Sequence, residues 1–409
     1  MAEFRYSIIK NPEIFMENRL PAHSDHAYYR SEESASVNDA DFKVSLNGVW
    51  KFSYAKNIAS AIKGFEKADY DCETWDDIRV PAHIQMEGYD APQYANTQYP
   101  WDGRQAVLPG EIPEEFNPVG SYVKYFEVPK SMESGPVFIS FQGVESGMAV
   151  WLNGHYVGYS EDSFTPSEFD LTPYLVKGIN KLAVQVYKWT AGSWCEDQDF
   201  FRFSGIYRDV YLYTIPKVHI CDLKLKTILD QDYKDAVLQL DLETNADGKA
   251  EVCLSDDDVE MVMSVALEEG HNHIEMPVKE PCLWSAEDPY LYDLTLRVQN
   301  QAGTLQEIVK ERVGFRKFEM KNQMMHINGK RIAFYGVNRH EFSADRGRCI
   351  TEKEILKDII TMKQHNINAI RTCHYPNQSA LYRLCDAYGI YVIDETNLET
   401  HGTWNAHQM

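Results

Sequence analysis

Nowhere in this sequence do 18 apolar residues run together, so no segment has the length to cross a bilayer as a helix. The first twenty residues, MAEFRYSIIKNPEIFMENRL, lack the basic start, apolar centre and small-residue cleavage site of a secretory leader, and a cytoplasmic location is expected. The eight cysteines (Cys72, Cys195, Cys221, Cys253, Cys282, Cys349, Cys373 and Cys385) never form a CxxC pair. That excludes a zinc-finger spacing and a disulfide framework, and leaves reduced core thiols as the expectation. Positive charge is scarce as well: 40 Lys and Arg face 62 Asp and Glu, a net charge of −22. Such a surface repels phosphate backbones and anionic lipid, so neither nucleic acid nor membrane is an expected partner and a neutral ligand is.

Apolar and aromatic side chains are plentiful, at 44% and 12%, enough for real cores, and 409 residues exceed what one core normally organises. Three stretches differ in pattern. From about 44 to 215, short runs rich in β-branched and aromatic residues (137–141, 148–152, 181–187, 210–213) alternate with turn signals, among them Asn47-Gly48 and Asn153-Gly154 as type I′ hairpin candidates. This reads as a β-sandwich of the jelly-roll type. From about 216 to 315 the strands recur every ten or so residues (236–243, 249–254, 273–276, 292–298), the rhythm of an immunoglobulin-like sandwich without its disulfide.

After 316 the period changes. A hairpin at Asn328-Gly329 leads to an expected strand at 332–337, and Thr351 with Glu354 forms a capping box. Ile355, Ile359 and Met362 then share one helical face, and a strand follows at 368–371. A second helix carries Leu381, Leu384, Cys385 and Tyr388, ends at Gly389 and gives way to a strand at 390–393. This β-α-β-α-β unit needs parallel strands, and no GxGxxG follows the first of them. Each strand instead runs into polar residues: Asn338-Arg339-His340-Glu341, Arg371-Thr372-Cys373-His374, and Asp394-Glu395 through His401. Barrel enzymes keep their chemistry at that end, so the start of a (β/α)8 barrel is expected.

The division is therefore 1–216 for the jelly roll with an N-terminal extension over 1–43, 217–315 for the second sandwich, and 316–409 for about three barrel strands. Some of the polar strand ends could be buried hydrogen bonds, although three together favour a functional rim. Glu399 and His401 fall on one side of an extended chain, which suits either a divalent cation or a plain hydrogen bond. The carboxylates of Glu196-Asp197-Gln198-Asp199 precede Phe200-Phe201-Arg202-Phe203, which suits either a sugar or a solvated loop; the aromatic tract 89–101 suits a sugar or packing.

Taken together, Asn368-Ala-Ile-Arg371-Thr-Cys-His374-Tyr375-Pro376 and the residues after it resemble glycoside hydrolase family 2, the group of β-galactosidases, β-glucuronidases and β-mannosidases. Within it the β-galactosidases are most similar, through Gly88-Tyr-Asp-Ala-Pro92 with Asn96, Glu196 to Asp199 with Arg208-Asp209-Val210, Asn338 to Glu341, and Glu399-Thr-His401-Gly402. The resemblance covers 44–409 and implies retaining hydrolysis of terminal β-D-galactose, as in lactose. It implies that Asn96 and Asp199 bind galactose, that Asp199 also holds Na+, and that His340 and His374 contact sugar hydroxyls and stabilise the transition state. It further implies that Arg371 orients carboxylates and that Glu399 and His401 bind Mg2+. Retention needs two carboxyls ~5–5.5 Å apart. The family's pair follows later barrel strands, as do the remaining metal ligands, so this chain alone is expected to be inactive. A homo-oligomer, a complementing chain carrying the rest of the barrel, and a purely carbohydrate-binding role follow as further expectations.

Overall fold

The computed structural model describes residues 3–108 and 110–401 and contains three β-rich bodies in sequence. In the first, a seven-stranded antiparallel sheet runs in the order Met16–Glu17, His155–Glu161, Gly147–Leu152, Ile179–Tyr187, Val119–Glu127, Gly48–Ala55, Asp76–Val80. A four-stranded sheet, Ser167–Asp170, Phe138–Phe141, Val210–Tyr213, Lys43–Ser45, packs on it. Alternation sets the layers. Along Gly147–Leu152, Val150 and Leu152 point into the inter-sheet core with Trp50, Phe141 and Leu212, whereas Ala149 and Trp151 point the other way, under Ile8, Ile9 and Phe65. The large sheet is thus covered on both faces, which is why its central strands read as continuous apolar runs.

Asn153 and Gly154 (φ 53° and 86°) close a two-residue hairpin between Leu152 and His155, as their sequence predicts, and Asn328-Gly329 does the same between Ile327 and Lys330. Asn47-Gly48 does not. Lys43–Ser45 belongs to the small sheet and Gly48–Ala55 to the large one, so this dipeptide is a crossover. The Asn47 side chain is spent on the start of another strand, accepting from Val210 N at 3.0 Å and donating to Asp209 at 2.8 Å.

The second body packs a three-stranded sheet (Ile220–Leu229, Ala236–Thr244, Gly270–Val278) on a five-stranded one. An edge strand of the latter is Ala27–Tyr29, paired with Leu305–Val313. The N-terminal extension, expected to go with the jelly roll, is therefore shared: Met16–Glu17 lies on the first body and Ala27–Tyr29 on the second. The single cysteines are all free, as expected, but only Cys72, Cys253, Cys373 and Cys385 are core; Cys195, Cys221 and Cys349 are half-buried and Cys282 is exposed.

In the third body, Gly336–Arg339, Ala369–Thr372 and Tyr391–Ile393 form a parallel sheet with helices Glu352–Gln364 and Ser379–Tyr388 between them. The Thr351/Glu354 capping box is present, and Ile355, Ile359 and Met362 are the buried face. The first strand starts four residues later than its apolar run suggests. Asn368 intercepts the backbone there, accepting from Tyr335 N at 2.8 Å and donating to Ala333 O at 3.0 Å, so side-chain bonds replace the ladder. Among the described residues no helix is long and apolar enough to cross a membrane.

Candidate functional site

The C-terminal ends of the three parallel strands form a rim on which the polar residues divide into two sets. Glu341 is fully buried and takes a salt bridge from Arg208 of the jelly roll (2.7 Å) and the Gln378 backbone N–H (3.0 Å). Arg339 is held by Asp358 and Asn377, and Asp394 accepts from Thr372 and Tyr382. These are structural strand-end bonds.

Facing them is the second set. Arg371 donates through Nε to Glu395 at 2.7 Å and through Nη1 to Asn338 at 3.3 Å; His374 Nδ1 lies 3.0 Å from the other Glu395 oxygen. The His340 ring stands 5.5 Å from that of His374, edge to face. Desolvation draws His340 below the ordinary imidazole value, and the neighbouring His374 adds to this. His340, Cys373 and His374 bring their potential ligand atoms within 4.8 Å of one another. Burial raises the Cys373 thiol, so without a cation it rests as the neutral thiol.

The jelly roll reaches over this rim. Gln93–Ala95 pairs with Phe200–Arg202 in a register that sets Ala95 against Phe200. Asn96 and Asp199 are the residues that adjoin this last pair in the sequence. Tyr94 Oη donates to Asp199 at 2.5 Å, and the negative charge of Asp199 is felt at both His340 and Cys373. Exposed rings line the same region: Tyr94 lies 5.6 Å from Phe201, which stacks on Phe342 at 5.4 Å. The rest of the aromatic tract is packing, since Tyr99 and Trp101 are buried with Trp189 and Trp194.

Glu399 and His401 are brought together by a clasp that sequence reasoning missed. The segment 195–199 pairs with 397–401: Asp197 N donates to Glu399 O at 3.0 Å and Glu399 N to Cys195 O at 2.8 Å. Asn397 donates to Glu196 at 2.5 Å and Gln198 donates to Asn397 at 2.7 Å. The Glu196 carboxyl is pushed up to about 8, by burial first and by Asp162 second. His401 Nδ1 lies 3.0 Å from Asp197 O and 3.3 Å from Asp197 Oδ2, while its Nε2 lies 3.3 Å from Glu399 Oε1. Asp197, wholly buried on Arg202, is raised to about 6 by burial against the opposing pull of Arg202 and His401.

The 3.3 Å between Glu399 Oε1 and His401 Nε2 suits an ion pair and is also compatible with two adjacent ligands of one octahedral cation, which lie about 3 Å apart, and Asp197 fixes the ring from its other nitrogen. At Asp199, Oδ1 is engaged by Tyr94, while Oδ2 has no hydrogen-bond partner among the described residues and is open to a cation or a hydroxyl. Gly402, the last residue of the Glu399 motif, lies outside the described residues.

Comparison with known proteins matches three successive domain models of one family. The sugar binding domain of glycosyl hydrolases family 2 covers 43–216, a second family 2 domain 218–316, and the family 2 TIM barrel domain 318–409. A β-galactosidase of Halalkalibacterium halodurans is 54% identical over 97% of this chain, which is 40% of that protein. A β-galactosidase large subunit of Lactobacillus acidophilus is 41% identical over 97% of this chain and 66% of its own length. A solved β-glycosidase from Bacteroides vulgatus superposes with a TM-score of 0.69 at 25% identity, covering 87% of this chain and 44% of that one. The chain thus spans about 40% of the length of the first of these relatives.

Proposed function

The chain belongs to glycosyl hydrolase family 2, and from that membership we propose that it supplies the sugar-binding part of a retaining β-galactosidase acting on terminal β-D-galactose, as in lactose. The observation that carries this reading is Asp199, held by Tyr94 through one oxygen and close enough to the His340 and His374 rim for its charge to reach His340. An amide, a carboxylate with one open oxygen and two imidazoles can together hold the hydroxyls of one sugar ring, whose C–H face would rest on Phe201 or Phe342. Similarity to proteins named β-galactosidase points the same way.

In this reading Arg371 fixes Glu395, which orients His374, so that the imidazole donates from the ring edge facing the sugar as charge develops. Glu399 and His401 would hold Mg2+, and Asp199 would contribute to a Na+ site. Magnesium, when bound, supplies positive charge that lowers the cost of nearby anionic groups. The acid/base and nucleophile are assigned to sequence beyond residue 409 or to a second chain. Among the described residues the rim carboxylates already have partners: Glu395 has Arg371 and His374, Asp394 has Tyr382, Glu399 has His401 and Glu341 has Arg208. The relative named a large subunit favours a partner chain for this protein too; its location in this reading is the cytoplasm.

A β-glucuronidase needs a cation for its substrate's carboxylate, and the arginines nearest the rim are engaged: Arg371 by Glu395, Arg202 by Asp197 and Arg348 by Glu145. That disfavours the rival. The test is calorimetric titration of the 409-residue chain with galactose and glucuronate. Galactose should bind and glucuronate should not, and Asp199→Ala should weaken galactose by about 10- to 100-fold, the loss of one charged hydrogen bond. Glucuronate binding as well as galactose would overturn the assignment.

A further inference from the structure

A cavity of about 460 Å³ lies where the N-terminal segment, the jelly roll and the second sandwich meet, and it shares no lining residue with the rim described above. Its walls include the rings of Tyr28, Phe138, Tyr211 and Tyr213. That volume and a largely apolar lining with a few polar groups are what small-molecule sites have in common.

The charges around it are unevenly paired. Glu168 accepts from Tyr213 at 2.5 Å and meets His23 Nε2 at 2.7 Å. Asp25 is bound by Arg383 at 2.8 Å, and Asp222 accepts the Ser24 N–H at 2.7 Å. The acids therefore have their partners. The cations do not: among the described residues neither Lys43 nor Arg19 has a carboxylate within salt-bridge distance. Arg19 is bonded only to Ser160 Oγ and a backbone carbonyl. Lys43 Nζ stands 4.9 Å from the centre of the Tyr211 ring and 6.0 Å from that of Tyr28. His26, only 5% exposed, also lines the cavity, and its Nε2 has no hydrogen-bond partner. Lys43 is half-buried and partly desolvated, which lowers its proton affinity and leaves its ammonium free to take an anionic acceptor in the cavity.

We propose that this cavity binds a small organic carboxylate, its ring against Tyr211 and its charge on Lys43. One charge suits the site better than two, because Glu168 and Asp25 are close enough to Lys43 for their charges to reach it, and they would repel a phosphate dianion. The proposal stands independently of the galactosidase reading.

Benzoate and benzyl alcohol are the probes, since they share a ring and differ in charge. Titrated into the 409-residue chain and followed by NMR, benzoate should shift signals of Lys43, Tyr211 and His26 and bind at least about tenfold more tightly than the alcohol. Lys43→Met should remove that preference, with circular dichroism showing the fold intact. Lys43→Arg should keep the preference, and Asp199→Ala should not affect it. Equal binding of the two probes, no binding at millimolar concentration, shifts confined to the rim, or an undisturbed preference in Lys43→Met would each overturn the proposal. If Lys43→Met fails to fold, Tyr211→Ala replaces it, with the same loss of benzoate binding expected.

Discussion

Asp197 connects the two halves of the site through a single histidine. Its carboxylate and carbonyl both face His401 Nδ1, which commits the other ring nitrogen to Glu399 and any cation there. Replacing Asp197 with Asn, which keeps the volume, should lower Mg2+ affinity of the assembled enzyme by about 10- to 100-fold, read by equilibrium dialysis at a temperature where circular dichroism shows the variant folded despite the loss of its pair with Arg202. Unchanged metal affinity would mean that the backbone carbonyl alone sets the ring. Arg371 invites a similar test. Two nitrogens of its planar fork approach Glu395 Oε1 and a third reaches Asn338, and a lysine offers one point charge instead. Arg371→Lys in the assembled enzyme should therefore cut kcat more than it raises KM. The motif residues Asn96, Asp199, His340, His374, Glu399 and His401 were named from the family pattern rather than from local chemistry. Spacing alone left Glu399 and His401 balanced between a cation and a hydrogen bond. Asp197 was illegible as their support, because it pairs with a residue 204 positions away and no local rule connects the two.

Secondary structure was most readable where local chemistry and tertiary pairing agree. Asn153-Gly154 and Asn328-Gly329 make their hairpins, and the capping box starts its helix; Asn47-Gly48 fails because the Asn47 side chain is claimed by a strand 163 residues on. Gly389 shows both levels at once. It caps the second helix with φ 73°, and a Cβ there would lie 2.4 Å from the Ala286 carbonyl oxygen of the neighbouring sandwich. Gly389→Ala should destabilise the barrel segment by more than the ~1 kcal/mol of a strained φ alone, seen as faster hydrogen exchange over 352–393. Glu161 gives a pH test. This 5%-exposed carboxyl is raised to about 7 by burial, despite bonds from Tyr159, Thr190 and the Gly192 N–H. Below pH ~4.5 both folded and unfolded chains keep its proton; from there to about 7 only the folded chain does. Its contribution thus falls as pH rises through that window, by about 3 kcal/mol in all. The stability of Glu161→Gln should be correspondingly flatter with pH in denaturant titrations.

Across the whole molecule, the barrel segment is tied to the jelly roll by buried pairs. Arg208 binds Glu341, Arg348 binds Glu145, and Phe164 stacks on Tyr375 at 4.1 Å. Removing one partner of such a pair strands a charge, so Arg208→Ala should cost about 3–5 kcal/mol and loosen the rim before the sandwiches. The sequence showed three bodies by their change of period, but not the strap that lends Met16–Glu17 to one sandwich and Ala27–Tyr29 to the next, since two- and three-residue strands carry no periodic signal. The same arrangement brings the Tyr94 and Asp199 loops of one body to the strand ends of another, and in the proposed reading the catalytic carboxylates come from outside these residues. The most direct measurement is hydrolysis of a chromogenic β-galactoside in Mg2+ and Na+ by the 409-residue chain, alone and mixed with a polypeptide supplying the rest of the barrel. Activity should appear only on mixing and vanish with Asp199→Ala. Turnover by the chain alone would contradict this division of labour and place the catalytic carboxylates among residues 1–409.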